Sequence, residues 1–347
     1  MKGSKSTHII RSVIPVLLVL MLLAACSPAP TAAPVAVPTA MPEKPTEAPT
    51  VAPTVAPTVA PTAMPEAPTA IPAIQPGTPG PLERTLKDTN SSYSAAAKSA
   101  TTGDNILNNL YERPFSQDMT YQPDVDILTV DIASDPNFFY FTITLDGADP
   151  TSKTLTATYG IEFDRSKTGR GDLLVWAHDA PKDWSYNNVT VYTDPDGDVG
   201  GPKPIAADAN VKGDGYESKQ KFSIDSIAYA RISPGNPAAI QIAVSRSLLG
   251  NPTEFLWGAW ADNGVKNPAL FDYDDHFGPG QAGSPIKGSD YPLKALYSLD
   301  NTCRLPYGFT PPTKIPGMCV SAPPPQQKGS TCVCPYCPPT KACSCTC

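Results

Sequence analysis

The sequence predicts an all-β protein built as a single antiparallel β-sandwich of jelly-roll type, and three observations carry that prediction. Segments of alternating apolar and polar residues recur between residues 124 and 261, the period-two signature of strands with one buried face. Stretches rich in Gly, Pro and Asp separate them, such as Asp146-Gly147 and Asp194–Gly201, and tight turns need these residues. Long helical periodicity is scarce. Many short strands between turns point to a sandwich rather than an alternating α/β fold.

Taken in chain order, residues 1–25 have the layout of an export signal. Lys2, Lys5 and Arg11 precede an apolar run from Val13 to Leu23, and the small residues Ala24 and Ala25 follow. The run is shorter than the roughly 20 apolar residues of a membrane-spanning helix. The ending Leu23-Ala24-Ala25-Cys26 resembles the lipobox of bacterial lipoproteins. That resemblance implies a diacylglyceryl group on the Cys26 thiol, cleavage just before it, and a chain held at the outer side of the cell membrane. Two or more acyl chains anchor firmly where one does so only marginally. Ser27 stands where the common inner-membrane retention signal has aspartate.

Residues 26–81 form a stalk. From Ser27 onward they are almost entirely Pro, Ala, Thr and Val, with an Ala-Pro-Thr-Val repeat from Ala48 to Val59. Proline this dense removes backbone donors and fixes φ, so the expected conformation is extended polyproline II. At about 3.1 Å per residue the stalk reaches up to ~170 Å.

Residues 82–300 supply roughly 220 residues, enough for one substantial core. Phe139, Phe141, Ile143 and Leu145 alternate with Tyr140, Thr142 and Thr144. Leu155, Ala157, Tyr159, Ile161 and Phe163 repeat the pattern. Shorter strands are predicted at Asp126–Ile132, Leu173–Ala177, Val189–Tyr192, Ile240–Val244 and Phe255–Ala261, with a short helix near Ser92–Ser99 and a helical turn near Arg246–Leu249.

The run Asp124-Val-Asp-Ile-Leu-Thr-Val-Asp131, leading into Asn137–Leu145, resembles the opening hairpin of family 9 carbohydrate-binding modules and the related DOMON sandwiches. Tyr159–Asp164 through Gly169–Asp172 resembles their next strand and Asp/Gly loop. The resemblance covers the first third of the domain and implies a glycan-binding sandwich. Asp198–Gly201, Ala282–Pro285 and Asp300–Cys303 are also similar to segments of a group of bacterial surface lipoproteins with no assigned function.

Charge narrows the partners. The net charge is −7, and loss of the three cations of the export signal takes it to about −10. An acidic surface disfavours nucleic acid and anionic lipid and is compatible with divalent cations and neutral glycans. Asp194, Asp196 and Asp198 stand at alternate positions in one loop. Three carboxylates so spaced converge on Ca2+ if the loop curls, although Asp, Pro and Gly also make ordinary acidic turns. Glycine in the fourth position and no glutamate in the twelfth depart from the EF-hand pattern and leave a calcium loop of a β-sandwich as the alternative. Asp164 and Asp172 frame a second candidate cation loop, opposed by Arg165, Lys167 and Arg170. Asp272, Asp274, Asp275 and His276 form a third acidic stretch, read as a solvated loop.

Trp184, beside Tyr186 in the loop 181–188, is the best candidate for an exposed sugar platform, because pyranose C–H groups pack on π faces; packing in the fold is the competing role. Trp257 and Trp260 lie three apart, so on a strand they face opposite ways and at least one belongs to the core. Nucleophile elbows, H-E-x-x-H and phosphate-binding glycine loops are missing. The expectation is a non-catalytic module.

Residues 301–347 form a Pro/Cys-rich tail. In an oxidising compartment Cys303 and Cys319 are expected to pair. Cys332, Cys334, Cys337, Cys343, Cys345 and Cys347 crowd the last sixteen residues. A disulfide knot, a thiolate metal cluster and cross-linking to neighbours all remain open. The leading functional expectation is an anchored glycan-binding module with structural calcium; the alternative is a structural or adhesion lipoprotein of the cell envelope.

Overall fold

The computed structural model describes residues 73–100, 102–200, 215–271 and 273–319. The export signal, Cys26, most of the stalk and the six terminal cysteines lie outside the described residues.

Thirteen strands run through the described chain: β1 (Leu82–Lys87), β2 (Glu112–Arg113), β3 (Ile127–Ser134), β4 (Phe138–Leu145), β5 (Thr158–Asp164), β6 (Leu173–Ala177), β7 (Val189–Thr193), β8 (Ser218–Gln220), β9 (Ala228–Ile232), β10 (Ala239–Ser245), β11 (Phe255–Asp262), β12 (Leu299–Asn301) and β13 (Leu305–Tyr307). Among the described residues helix is confined to single turns, α1 (Tyr273–His276), α2 (Pro279–Ala282) and three short 3-10 turns. The expected all-β class holds.

Two antiparallel sheets result. The smaller has the order β1-β3-β4-β10-β9; the larger runs β2-β12-β11-β5-β6-β7-β8, with β13 also paired to β11. Phe139, Phe141 and Ile143 of β4 pack on Phe163 of β5 and on Phe255 and Trp257 of β11, within one core cluster that draws on both sheets. The Phe141 ring lies 5.5 Å from Phe163 and 5.3 Å from Trp257, and Phe139 lies 5.1 Å from Phe255. The alternation seen in the sequence therefore selects the face shared between the sheets.

The opposite faces are covered too. On the larger sheet, Leu174, Trp176 and Trp260 join Tyr111, Tyr216, Phe271 and Tyr273 in a second cluster. This is why β5, β6 and β11 are buried at every position rather than at alternate ones. Trp257 and Trp260 do face opposite ways, and both are core. Gly160 pairs with Trp176 on one side and Trp260 on the other. A Cβ there would come within 2.4 Å of the Trp176 ring, so only glycine lets the indole lie across the strand.

On the smaller sheet, Phe138, Tyr140 and Tyr229 form a third cluster, with Ile74, Trp184, Tyr186 and Phe222 packed against it. Tyr140, whose alternation predicts a solvent-facing side chain, is buried here.

Several boundaries differ from expectation. β5 begins at Thr158 rather than Leu155. β1, β2, β8, β9, β12 and β13 carry too few alternating residues to signal themselves; four of them have three residues or fewer. Only Ala95–Ala97 of the predicted helix near Ser92–Ser99 is helical, as one 3-10 turn. Strand pairing continues past residue 300: β13 joins β11, and the expected disulfide Cys303–Cys319 ties the chain back across a separation of 16 residues.

Candidate functional site

The loop after β7 brings the three alternate aspartates together. Asp194, Asp196 and Asp198 offer carboxylate oxygens that, with one from Glu217, all lie within 4.8 Å of one another. Asp194 accepts hydrogen bonds from the Gly197 and Val199 amides at 2.7 and 3.1 Å, which curls the loop. Burial, with Asp196 close by, pushes its carboxyl up to about 6. Glu217 was not legible as a partner, because it lies nineteen residues beyond Asp198 in the sequence.

The loop Asp164–Asp172 is organised differently. Asp164 accepts from the Ser166 hydroxyl and from the Thr168 and Gly169 amides. Asp172 accepts from the Arg165 and Ser166 amides and pairs with the Arg165 guanidinium at 2.6 Å. Each carboxylate thus serves as an internal brace of its own loop, the usual role of aspartate in turns.

Trp184 and Tyr186 are partly buried on the outer face of the smaller sheet. The Trp184 indole donates to the Gly77 carbonyl at 3.1 Å, and the Arg231 guanidinium lies 4.2 Å from its ring centroid. The Tyr140 hydroxyl accepts from the Gly77 amide and donates to Asp135; the Tyr229 hydroxyl donates to the Ile74 carbonyl. Pro76, between these anchors, is buried. The end of the Pro-rich segment therefore lies on the aromatic face that the sequence nominated for ligand.

A second group of carboxylates, which sequence spacing did not reveal, lies where the edges of the two sheets meet. Glu112 comes from β2, Asp300 from β12, Asp126 immediately precedes β3, and Asp88 follows β1. Glu112, Asp126 and Asp300 are buried and have carboxylate oxygens within 4.8 Å of one another. Burial pushes Glu112 up to about 9, Asp88 to about 7 and Asp126 to about 6, and raises Asp300 well above its ordinary range; the group's other carboxylates reinforce this at Glu112, Asp88 and Asp300, and Asp146 does so at Asp126.

Between the larger sheet and its covering loops, Glu162 and Arg304 form a buried two-pronged ion pair at 2.8 and 2.9 Å. The Tyr216 hydroxyl and the Trp260 indole also donate to Glu162. Burial opposes both charges, yet the pairing wins: Glu162 sits below its ordinary range and Arg304 above. The adjoining cavity measures about 20 Å³, room for about one water molecule.

A much larger concavity, about 880 Å³, opens between β1 and the segment 305–319. Arg84, Lys87 and Lys314 line it with Phe309, Thr310 and Thr313, and no carboxylate belongs to its described lining. Arg84 is held over it by a hydrogen bond to the Pro306 carbonyl.

Among the described residues no helix is long and apolar enough to cross a membrane. Comparison with protein-family models, curated proteins and solved structures gave no match.

Proposed function

We propose that this chain is a lipid-anchored, extracytoplasmic and non-catalytic binding module for a glycan, with calcium as a structural ion in the loop Asp194–Asp198 closed by Glu217. In this reading the two sheets are one jelly-roll-like sandwich. Acyl groups on Cys26 and the Pro/Thr stalk hold it away from the membrane.

The observation that supports it most directly is the groove beside β1. Three exposed cations and no described carboxylate line it in a chain of net charge −7. Such a local reversal of sign focuses anionic ligands against an otherwise repulsive surface. Phe309 adds a ring face and the threonines add hydroxyls, which together suit a polysaccharide bearing carboxylate groups.

The test is a binding panel of acidic and neutral polysaccharides on the full chain in detergent. Saturable binding of acidic glycans, weakened about tenfold by Arg84→Ala combined with Lys314→Ala and by raised salt, is the expected result. Binding of neutral glycans that disappears on Trp184→Ala would move the site to the opposite edge of the smaller sheet.

A second reading, a structural or adhesion lipoprotein of the cell envelope, is favoured by one specific observation. The Trp184 face already holds the chain's own residues 74–77. A folded chain that binds no member of the panel would favour this reading.

A further inference from the structure

We infer that Glu112, Asp126 and Asp300 form a calcium site that joins the edges of the two sheets, with Asp88 as an adjacent fourth carboxylate. This cluster shares no residue with the groove or with the Asp194 loop.

The unsatisfied oxygens point to a ligand. Asp126 Oδ2 accepts from the Ser91 amide and the Tyr121 hydroxyl at 2.9 and 2.6 Å, and Asp300 Oδ2 accepts from the Ile127 amide at 2.6 Å. Asp126 Oδ1 and Asp300 Oδ1 are fully buried and have no hydrogen-bond partner, and neither has Asp88 Oδ2. Buried polar atoms left without a partner are rare, because each forfeits its hydration. Here three such atoms sit in one cluster and all are carboxylate oxygens. The Arg113 guanidinium does not neutralise them: it pairs with Asp104 and donates to the carbonyls of Ala282, Gly283 and Leu296.

Geometry and chemistry select the ion. Donor oxygens within 4.8 Å of one another match ligands on opposite sides of an ion with Ca–O distances of about 2.3–2.6 Å. The donors are hard oxygens, with the Ser91 hydroxyl hydrogen-bonded to Glu112 at 2.6 Å and no His or Cys in the group. That excludes a soft-metal site, and the several direct carboxylates favour Ca2+ over Mg2+, which keeps most of its water. Because β2 and β12 belong to the larger sheet while Asp126 and Asp88 flank strands of the smaller, the ion would tie the two sheets together.

The experiment uses the full chain in detergent micelles, stripped with EDTA and titrated with calcium chloride alone. Bound calcium is read by mass spectrometry after dialysis and the thermal midpoint by circular dichroism. Wild type is expected to melt about 5–10 °C higher in calcium at a hundred times its dissociation constant than in EDTA. Asp300→Asn retains an oxygen for the Ile127 amide; it should fold, bind one calcium fewer and lose most of the shift. Asp196→Asn with Glu217→Gln removes the calcium proposed for the other acidic loop and its share of the shift, and in that background the remaining shift should be lost on Asp300→Asn. A remaining shift that survives Asp300→Asn in the Asp196→Asn, Glu217→Gln background overturns the assignment, as does a wild type whose midpoint ignores calcium. If Asp300→Asn does not fold, Asp126→Asn gives the same two readouts, and full retention of the shift there is equally fatal. An equal shift with magnesium chloride would overturn the choice of ion.

Discussion

Removing Arg304 from the buried pair with Glu162 should destabilise the fold more than any surface substitution. The guanidinium meets both Glu162 oxygens and also donates to the Gly169 carbonyl, and neither partner is appreciably exposed. Arg304→Met leaves an ionised carboxylate in a site with only the Tyr216 hydroxyl and Trp260 indole as compensation. Breaking one side of a buried pair costs about 3–5 kcal/mol, because the orphaned charge keeps its desolvation penalty. For a body of this size each kcal/mol moves the midpoint by about 2–4 °C, so a drop of about 6–20 °C is expected. Glu162→Gln removes the charge while keeping an acceptor for Tyr216. The double variant should therefore be more stable than the sum of the single losses implies, with a coupling of about 1–3 kcal/mol. The assay is urea unfolding of wild type, both single variants and the double variant at one pH. An Arg304→Met loss below about 1 kcal/mol, or strict additivity, would refute the claim that the pair acts as a closed unit.

Replacing both Cys303 and Cys319 by serine should lower stability by about 3 kcal/mol, because the disulfide closes a loop of 16 residues in the unfolded chain. Thermal unfolding with and without reductant measures this, and an unchanged midpoint in the variant would contradict it. Asp135 supplies a pH dependence with a definite sign. Burial raises its carboxyl, but the Tyr140 hydroxyl, the Asn137 and Phe138 amides and nearby Arg246 outweigh burial and hold it below its ordinary range. A depressed folded-state value means that its contribution is complete above the unfolded value and is lost as pH falls through the folded one. Asp135→Asn should therefore be less stable than wild type near neutrality and converge with it in acid. A constant gap down to pH 2 would show that the ionised form is not what stabilises.

Local pattern carried much of the sheet framework. β6 coincides with its predicted span, and β3, β4, β7, β10 and β11 fall within two residues of theirs at each end, because each presents four or more residues to a pleated surface whose period is fixed by the backbone. The Cys303–Cys319 pairing and the opposed directions of Trp257 and Trp260 were legible for the same reason: short separations in sequence restrict geometry directly. The curled aspartate loop was also visible, since Asp194, Asp196 and Asp198 occupy a single turn.

What tertiary structure decided involves residues far apart in the chain. Periodicity identifies a strand's two faces but not whether the second face meets water, so Tyr140, Trp176 and Trp260 became buried only when loops from elsewhere covered them. Trp184 illustrates the limit. Its place in a polar loop made it a candidate platform, whereas the fold lays Gly77, 107 residues away, against its indole nitrogen. Glu162 and Arg304 stand 142 residues apart and look like ordinary surface charges until the fold removes both from water together. The buried carboxylates are the extreme case. Glu112, Asp126 and Asp300 span almost two hundred residues, and nothing in the sequence around any of them points to the others. Their convergence follows from the pairing of β2 with β12 and the meeting of sheet edges, which no local signal encodes.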